Sequence, residues 1–97
     1  MSELSFGWDI NKNVSNEEKH GISFDEAKTV FTDLFARLIH DPDHSDDEDR
    51  FILLGTSIHS RLLVVCHCIR VENSIRIISA RKADKQERKT YEGHRHA

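Results

Sequence analysis

The stretch IRIISARKADKQERKTYE, residues 75–92, decides the fold of this chain, because a β-branched strand runs directly into a polar helix. Asp84 and Glu87 form a capping box, which predicts that the last helix begins there and continues to about Glu92. Few apolar side chains support this helix, whereas arginine or lysine occupies positions 76, 81, 82, 85, 88 and 89. A packed core does not require so many cations, and a surface that binds a polyanion does.

Two more strands precede this stretch along the chain. Arg50–Thr56 and Leu62–Arg70 are rich in apolar residues, and residues 74–80 follow them as a third strand. The connections at 57–61 and 71–73 are short and polar, which is typical of antiparallel hairpins. Residues 50–80 are therefore predicted to form three neighbouring strands of one antiparallel sheet.

The first forty residues supply the helices that would cover this sheet. Residues 4–8 are predicted as a strand, and residues 10–20 as a polar helix that begins at Asp9 or Ser15 and ends at Gly21. The capping box of Ser23 and Glu26 predicts a second helix. Its apolar stripe consists of Phe24, Ala27, Val30, Phe31 and Leu34. A strand at 35–40 and a solvated acidic loop at 41–49 follow.

The predicted order is β-α-α-β-β-β-β-α, an α+β fold in which helices pack on a small antiparallel sheet. Ninety-seven residues are enough for one domain, 1–97, with residues 93–97 as a frayed tail. The sequence has neither a membrane-spanning apolar run nor the features of a secretory signal. Cys66 and Cys68 share a strand face, so reduced thiols in a cytoplasmic protein are expected.

The charge of the chain is divided between its halves. Residues 1–60 carry 5 Lys/Arg and 13 Asp/Glu, a net −8, and residues 61–97 carry 9 Lys/Arg and 4 Asp/Glu, a net +5, which together give the −3 of the whole chain. This asymmetry indicates that the basic half binds nucleic acid or an acidic partner. The alternative is that the two halves neutralise each other in the fold.

Arginines near the strand ends are the main candidates for a functional site. Arg61, Arg70, Arg76 and Arg81 lie within a span of twenty-one residues beside apolar runs. Guanidinium groups bind phosphate bidentately and stay charged, so several on one sheet face would form a phosphate site. The alternative is that each arginine only caps a strand end and extends to water.

The remaining candidates are Tyr91 and the histidines. Tyr91 on the last helix either stacks on a base or anchors that helix to the sheet. His20 ends a helix, where the helix dipole favours its protonated form, so it acts either as a general acid or as a cap.

No metal site is expected, because Cys66, His67 and Cys68 alternate between strand faces and the acidic loop lacks calcium-hand spacing.

Three segments together resemble a known family. They are FGWDINKNVSNEEKHGISFDEAKTVF (residues 6–31), EDRFILLGTSIHSRLLVV (residues 48–65) and IRIISARKADKQERKTYE (residues 75–92). The sequence resembles BrnT, the toxin of a type II toxin–antitoxin pair, and DPDHSDDED (residues 41–49) also fits a turn of that family. The strand reads V-C-H-C-I at residues 65–69, which departs from the plainer run of the family and leaves a catalytic role for His67 in question.

The resemblance implies a RelE-like fold and RNA cleavage that inhibits translation, without a cofactor. It implies that Arg61 and Arg81 hold the scissile phosphate with help from Arg76. In this interpretation His20 or Tyr91 transfers protons. The residues expected to follow the RNA backbone are Lys19 and Arg70.

The implied partner is a BrnA-type antitoxin with a ribbon-helix-helix DNA-binding domain. The pair would form a 2:2 heterotetramer that binds operator DNA only through the antitoxin. The alternative function is a non-catalytic module that binds RNA or an acidic partner. Mutating residues that bind phosphate would then weaken binding and its salt dependence without any cleavage product.

Overall fold

The computed structural model describes residues 4–40, 50–70 and 73–95 of the chain, so the acidic loop and the last two residues lie outside it. Five strands and three α-helices are present in these ranges. They are β1 (Ser5–Gly7), α1 (Ile10–His20), α2 (Phe24–Ala27), β2 (Arg37–His40), β3 (Arg50–Thr56), β4 (Leu62–Arg70), β5 (Ser74–Lys82) and α3 (Lys85–Arg95). The order matches the predicted β-α-α-β-β-β-β-α, and the α+β class is confirmed.

The strands form one mixed sheet in the order β1-β5-β4-β3-β2. The three pairings among β2, β3, β4 and β5 are antiparallel, as predicted. β1 instead pairs with β5 in parallel, with Phe6 opposite Ile75. The sheet is therefore mixed and not all antiparallel. β1 pairs with a strand that is distant in the sequence, and no hairpin signal indicates that partner.

Helix α1 covers the edge of β5 in the part of that strand that does not pair with β1. It begins at Asp9, whose carboxylate accepts from two backbone N–H groups, and ends at Gly21, which adopts φ +71°. Asn16 is 6% exposed; its Nδ2 donates to Ala80 O at 2.8 Å, and its Oδ1 accepts from Ala80 N at 3.1 Å. One amide side chain therefore takes the place of a neighbouring strand at this edge.

The predicted second helix is shorter than expected. α2 has four residues and continues as a 3₁₀ helix at Lys28–Thr32. Thr29 and Thr32 hydroxyls donate to backbone carbonyls three residues earlier, an interaction that competes with regular α-helix. Asp33 then ends the helix by accepting from the N–H of Phe35 at 2.9 Å. Leu34 is 94% exposed, so its predicted place in the apolar stripe was wrong.

The sheet is apolar on both faces. One face packs against α1, α2 and the 3₁₀ helix through a core that includes Ile22, Phe24, Leu63 and Ile77. The other face is smaller and consists of Leu54, Leu62, Val64 and Tyr91. Because Tyr91 belongs to α3, the second face is the one that α3 covers.

α3 begins with the predicted capping box. The Asp84 carboxylate accepts from Glu87 N at 2.8 Å, and the Glu87 carboxylate accepts from Asp84 N at 2.9 Å. The helix continues to Arg95, three residues beyond the predicted end at about Glu92. No helix in the described residues is long and apolar enough to cross a membrane.

Candidate active site

Arg61 is fixed by a carboxylate of α2. Its Nε donates to Glu26 Oε2 at 2.9 Å, and its Nη2 donates to Glu26 Oε1 and to Gly21 O. The Glu26 side chain is 5% exposed and that of Arg61 35% exposed. The hydrogen bond from Arg61 holds the pKa of Glu26 below its ordinary value, against the effect of burial. Arg61 is therefore a charged group in one fixed orientation, with Nη1 uninvolved in these bonds.

Arg81 is fixed in the same way by α3. Its Nη1 and Nη2 each donate to one Glu87 oxygen at 2.8 Å, so the pair is bidentate. The hydrogen bond with Glu87 raises the pKa of Arg81 and lowers that of Glu87. Because 44% of the Arg81 side chain remains exposed, the guanidinium also faces solvent. The carboxylate that caps α3 thus also positions an arginine at the end of β5.

The four strand-end arginines do not converge on one pocket. Cross-strand pairing places Arg81 opposite Val64, Arg76 opposite Cys68, and Arg70 opposite Ser74, so these three share the α3 face of the sheet. Arg61 instead turns to α2 on the other side. Arg70 lies eight residues along β4 from Leu62, roughly 26 Å away at a strand rise of about 3.3 Å per residue. Arg61 and Arg81 thus lie at one end of the sheet, with Arg76 and Arg70 progressively farther along it.

A cavity of about 270 Å³ opens at that end of the sheet, between β4, β5 and α3. Its lining includes three cations, Arg61, Lys82 and Arg88. Arg81 and Glu87 are the chain neighbours of two lining residues, Lys82 and Arg88, but do not line the cavity themselves. Three positive charges around one cavity, of which Arg61 is held in place by Glu26, can bind a multiply charged anion such as phosphate. We call this cavity the cationic cavity.

His20 and Lys19 line a separate groove between α1 and β5. They occupy the last turn of α1, and the next residue, Gly21, accepts a 3.3 Å hydrogen bond from Arg61 Nη2 through its carbonyl. The His20 side chain is half-buried and Lys19 is exposed. The hydrogen bond to the Gly21 carbonyl thus joins the end of α1 to Arg61, which lines the cationic cavity.

Tyr91 lies in the interior of the protein. Its side chain is 3% exposed and packs with Leu54, Leu62 and Val64. Its hydroxyl donates to Asp33 Oδ2 at 2.7 Å and accepts from Thr56 Oγ1 at 3.2 Å. These contacts favour the alternative in which Tyr91 anchors α3 to the sheet.

His67 and the cysteines form no metal site with the described residues. His67 is fully buried between the rings of Phe31 and Phe51, and burial lowers its pKa. Its Nε2 has no hydrogen-bond partner in the described part of the chain. The two cysteines are not in a disulfide. No group of three potential metal ligands occurs in residues 4–40, 50–70 and 73–95.

Comparison with known proteins identifies the family. A family model described as the ribonuclease toxin, BrnT, of type II toxin–antitoxin system matches residues 8–87. The chain belongs to the BrnT family. The match includes His20, Arg61 and Arg81 but ends before Tyr91. Membership makes the chain a ribonuclease toxin by class, with RNA as substrate and an antitoxin as partner.

The fold is also that of a solved BrnT structure. The chain is similar to the crystal structure of the Brucella abortus ribonuclease toxin, BrnT, with a TM-score of 0.65 and 22% sequence identity. The alignment covers 86% of this chain and 100% of the Brucella chain. At this identity the likeness confirms the fold alone. The comparison with curated proteins gave no match.

Sequence reasoning missed the two glutamates that hold the arginines. Glu26 and Glu87 were both identified as capping-box residues, whose expected target is a backbone N–H. Glu87 makes that hydrogen bond and also binds Arg81. Glu26 instead binds Arg61 and accepts from Ser57 Oγ at 2.7 Å. The available signal was that each glutamate lies on the first turn of a helix next to a strand end that carries an arginine.

Proposed function

We propose that this chain is a metal-independent endoribonuclease that cleaves RNA at the cationic cavity and so inhibits translation. The observation that supports this most strongly is the convergence of Arg61, Lys82 and Arg88 on one cavity, with the Arg81–Glu87 pair next to Lys82 and Arg88 in the chain. Positive charge held in place before the substrate arrives stabilises the extra negative charge of a pentavalent phosphorane.

In the proposed reaction the ribose 2′-oxygen attacks the adjacent phosphorus. A base removes the 2′-OH proton, the bond from phosphorus to the 5′-oxygen breaks, and an acid protonates that oxygen. The products are a 2′,3′-cyclic phosphate and a 5′-OH end. Because RNA itself supplies the nucleophile, this step requires neither an attacking water molecule nor a metal ion.

The residues take distinct roles in this proposal. Arg61 and Arg81 stabilise the scissile phosphate, and Arg76, farther along the α3 face, contacts a neighbouring nucleotide. His20 is the first candidate for proton transfer, since it is half-exposed and directly precedes Gly21, whose carbonyl accepts from Arg61. The second candidate is Tyr91, which would act only if its hydroxyl exchanged Asp33 for substrate. Binding of the RNA backbone is assigned to Lys19 and Arg70.

We also propose that a BrnA-type antitoxin with a ribbon-helix-helix domain neutralises this toxin. The two chains would form a 2:2 heterotetramer that binds operator DNA only through the antitoxin. The exposed cations of the active-site end supply a complementary surface for an acidic segment of that partner. Covering the cationic cavity would both inhibit cleavage and bury these charges. A single domain spanning residues 1–97 and a cytoplasmic location are part of the same proposal.

A metal-free cleavage assay tests the proposed function. Purified chain, the Arg81→Ala variant and the Lys28→Ala variant are incubated with RNA in EDTA, and the product ends are mapped. Lys28 is a matched control, because it is an exposed cation on the 3₁₀ helix that forms an ion pair with Asp25, away from the cationic cavity. We expect the wild type and Lys28→Ala to leave cyclic-phosphate and 5′-OH ends, and Arg81→Ala to cleave on the order of 10²–10³ times more slowly.

Two results would overturn parts of this proposal. Cleavage that disappears in EDTA and returns with a divalent cation would make the enzyme metal-dependent. RNA that is bound but never cleaved, either alone or in a translation extract, would leave the non-catalytic binding module as the function of this chain. In that case Arg81→Ala would change only affinity and its salt dependence.

A further inference from the structure

The outer face of α3 carries Lys85 and Lys89, which the proposed chemistry does not use, beside Arg88 of the cationic cavity. Lys85, Arg88 and Lys89 line one open depression on this face, together with Glu92 at its C-terminal end. All three cations are exposed. Their spacing of three and four residues places them on one side of the helix. We call Lys85, Arg88 and Lys89 the α3 tract.

The acidic residues at the start of α3 are committed elsewhere. Asp84 and Glu87 bond to each other's backbone N–H, and Glu87 also binds Arg81 bidentately. Within the described ranges, no carboxylate forms an ion pair with a member of the α3 tract. Among the described residues, the positive charge of the tract is therefore opposed only by Glu92 at its far end.

The tract is continuous with the cationic cavity. Arg88 lines both the depression on α3 and the cavity that holds Arg61 and Lys82. A strand of RNA whose phosphate occupies the cavity would therefore extend along α3 without crossing a gap. Continuity with the proposed reaction site favours RNA over another partner as the occupant of this surface.

The chemistry of the tract indicates which part of RNA it would bind. Every residue lining the depression is charged, and the one aromatic residue of α3, Tyr91, is buried. Without exposed aromatic groups the depression lacks the usual platform for stacking bases, and without an apolar anchor it lacks the usual centre of a protein interface. Ammonium and guanidinium groups in this setting match phosphate oxygens.

We infer that the α3 tract binds the phosphodiester backbone of the RNA substrate next to the cleavage site, without reading its bases. The inference rests on the proposed function for the identity of the ligand. It adds a binding surface that contributes affinity, whereas the cationic cavity contributes rate. Lysines at this surface should affect KM and its salt dependence and leave kcat unchanged.

Binding to a non-cleavable RNA tests this inference separately from the nuclease activity. The probe is a labelled single-stranded 2′-O-methyl oligonucleotide, and Kd is measured by fluorescence anisotropy over a series of salt concentrations. The variant is Lys85→Gln with Lys89→Gln, which removes two charges and retains residues of similar helix propensity. The matched control is Lys28→Gln on the 3₁₀ helix, another exposed lysine but outside both the tract and the groove that Lys19 and His20 line.

We expect the double variant to bind more weakly and its slope of log Kd against log salt to fall by about 1.4, at about 0.7 for each phosphate that the variant no longer neutralises. The change should be equal for uridine and adenosine oligomers, and Lys28→Gln should match the wild type. On cleavable RNA, KM should rise and kcat stay constant.

Several outcomes would overturn the inference. They are an unchanged slope, an equal weakening in Lys28→Gln, or a weakening that depends on the base. An unchanged RNA slope with weakened binding of an acidic peptide would assign the tract to a protein partner instead. If the wild type binds the probe but cleaves no RNA, the proposed function fails while the α3 tract keeps its assignment.

Discussion

Two capping-box glutamates set the orientation of the two arginines that the sequence singles out. Glu26 binds Arg61 and Glu87 binds Arg81, each through two oxygens. The capping boxes and the arginines could be predicted separately from the sequence. Their pairing could not, because it depends on which helix lies beside which strand end. The glutamate of such a pair holds the arginine side chain in one orientation. A buried carboxylate that lost its arginine would lower the free energy of unfolding.

At the residue scale, this pairing predicts a specific pattern of stability. Arg61→Ala should lower the free energy of unfolding by clearly more than Lys28→Ala, because Glu26 then keeps a buried, uncompensated charge. Adding Glu26→Gln to Arg61→Ala should recover part of that stability. The measurement is urea unfolding of the wild type, the single variants and the double variant at pH 7.

The pH dependence supplies the control for this prediction. In the wild type the Arg61 hydrogen bond lowers the pKa of Glu26, so its ionised form stabilises the fold above its ordinary pKa, and this stability is lost as pH falls through the lowered value. In Arg61→Ala, burial alone would raise that pKa. The destabilisation should therefore be larger at pH 7 than near pH 4. A constant difference would show that the destabilisation comes from packing rather than from charge.

At the element scale, Tyr91 decides how α3 is attached to the sheet. We expect Tyr91→Phe to lower the free energy of unfolding by about 1 kcal/mol, because the hydrogen bonds with Asp33 and Thr56 are removed while the ring stays packed. As an anchor, Tyr91 should leave the single-turnover cleavage rate nearly unchanged in this variant. A fall of on the order of 10² or more with intact folding would instead place its hydroxyl in proton transfer.

The elements that the sequence predicted best are those with complete local signals. β3 and β4 have the predicted bounds, and α1 begins at one of the two predicted caps and ends at Gly21. The shortened α2, the parallel pairing of β1 and the Asn16 hydrogen bonds with β5 depend on tertiary partners. These partners are up to sixty-four residues away in the chain, as for Asn16 and Ala80. Local propensity contains no information about them.

Across the part of the molecule that the structure describes, ion pairs neutralise the divided charge of the sequence only in part. Arg61 of the basic half pairs with Glu26 of the acidic half, whereas Arg81 pairs with Glu87 of its own half. Lys85, Arg88 and Lys89 of α3 remain exposed. The sequence indicated a basic half, but not that its exposed cations would run from the end of the sheet along one helix.

We propose above all that this protein cleaves RNA by using the 2′-hydroxyl of the substrate as the nucleophile. The most direct measurement is cleavage in EDTA of a short RNA and of the same RNA with a single 2′-deoxy substitution at the cleaved linkage. We expect the substituted linkage to stay intact and the unmodified linkage to be cut to a cyclic phosphate. Cleavage at the deoxy linkage would require water or another nucleophile, and would contradict the account.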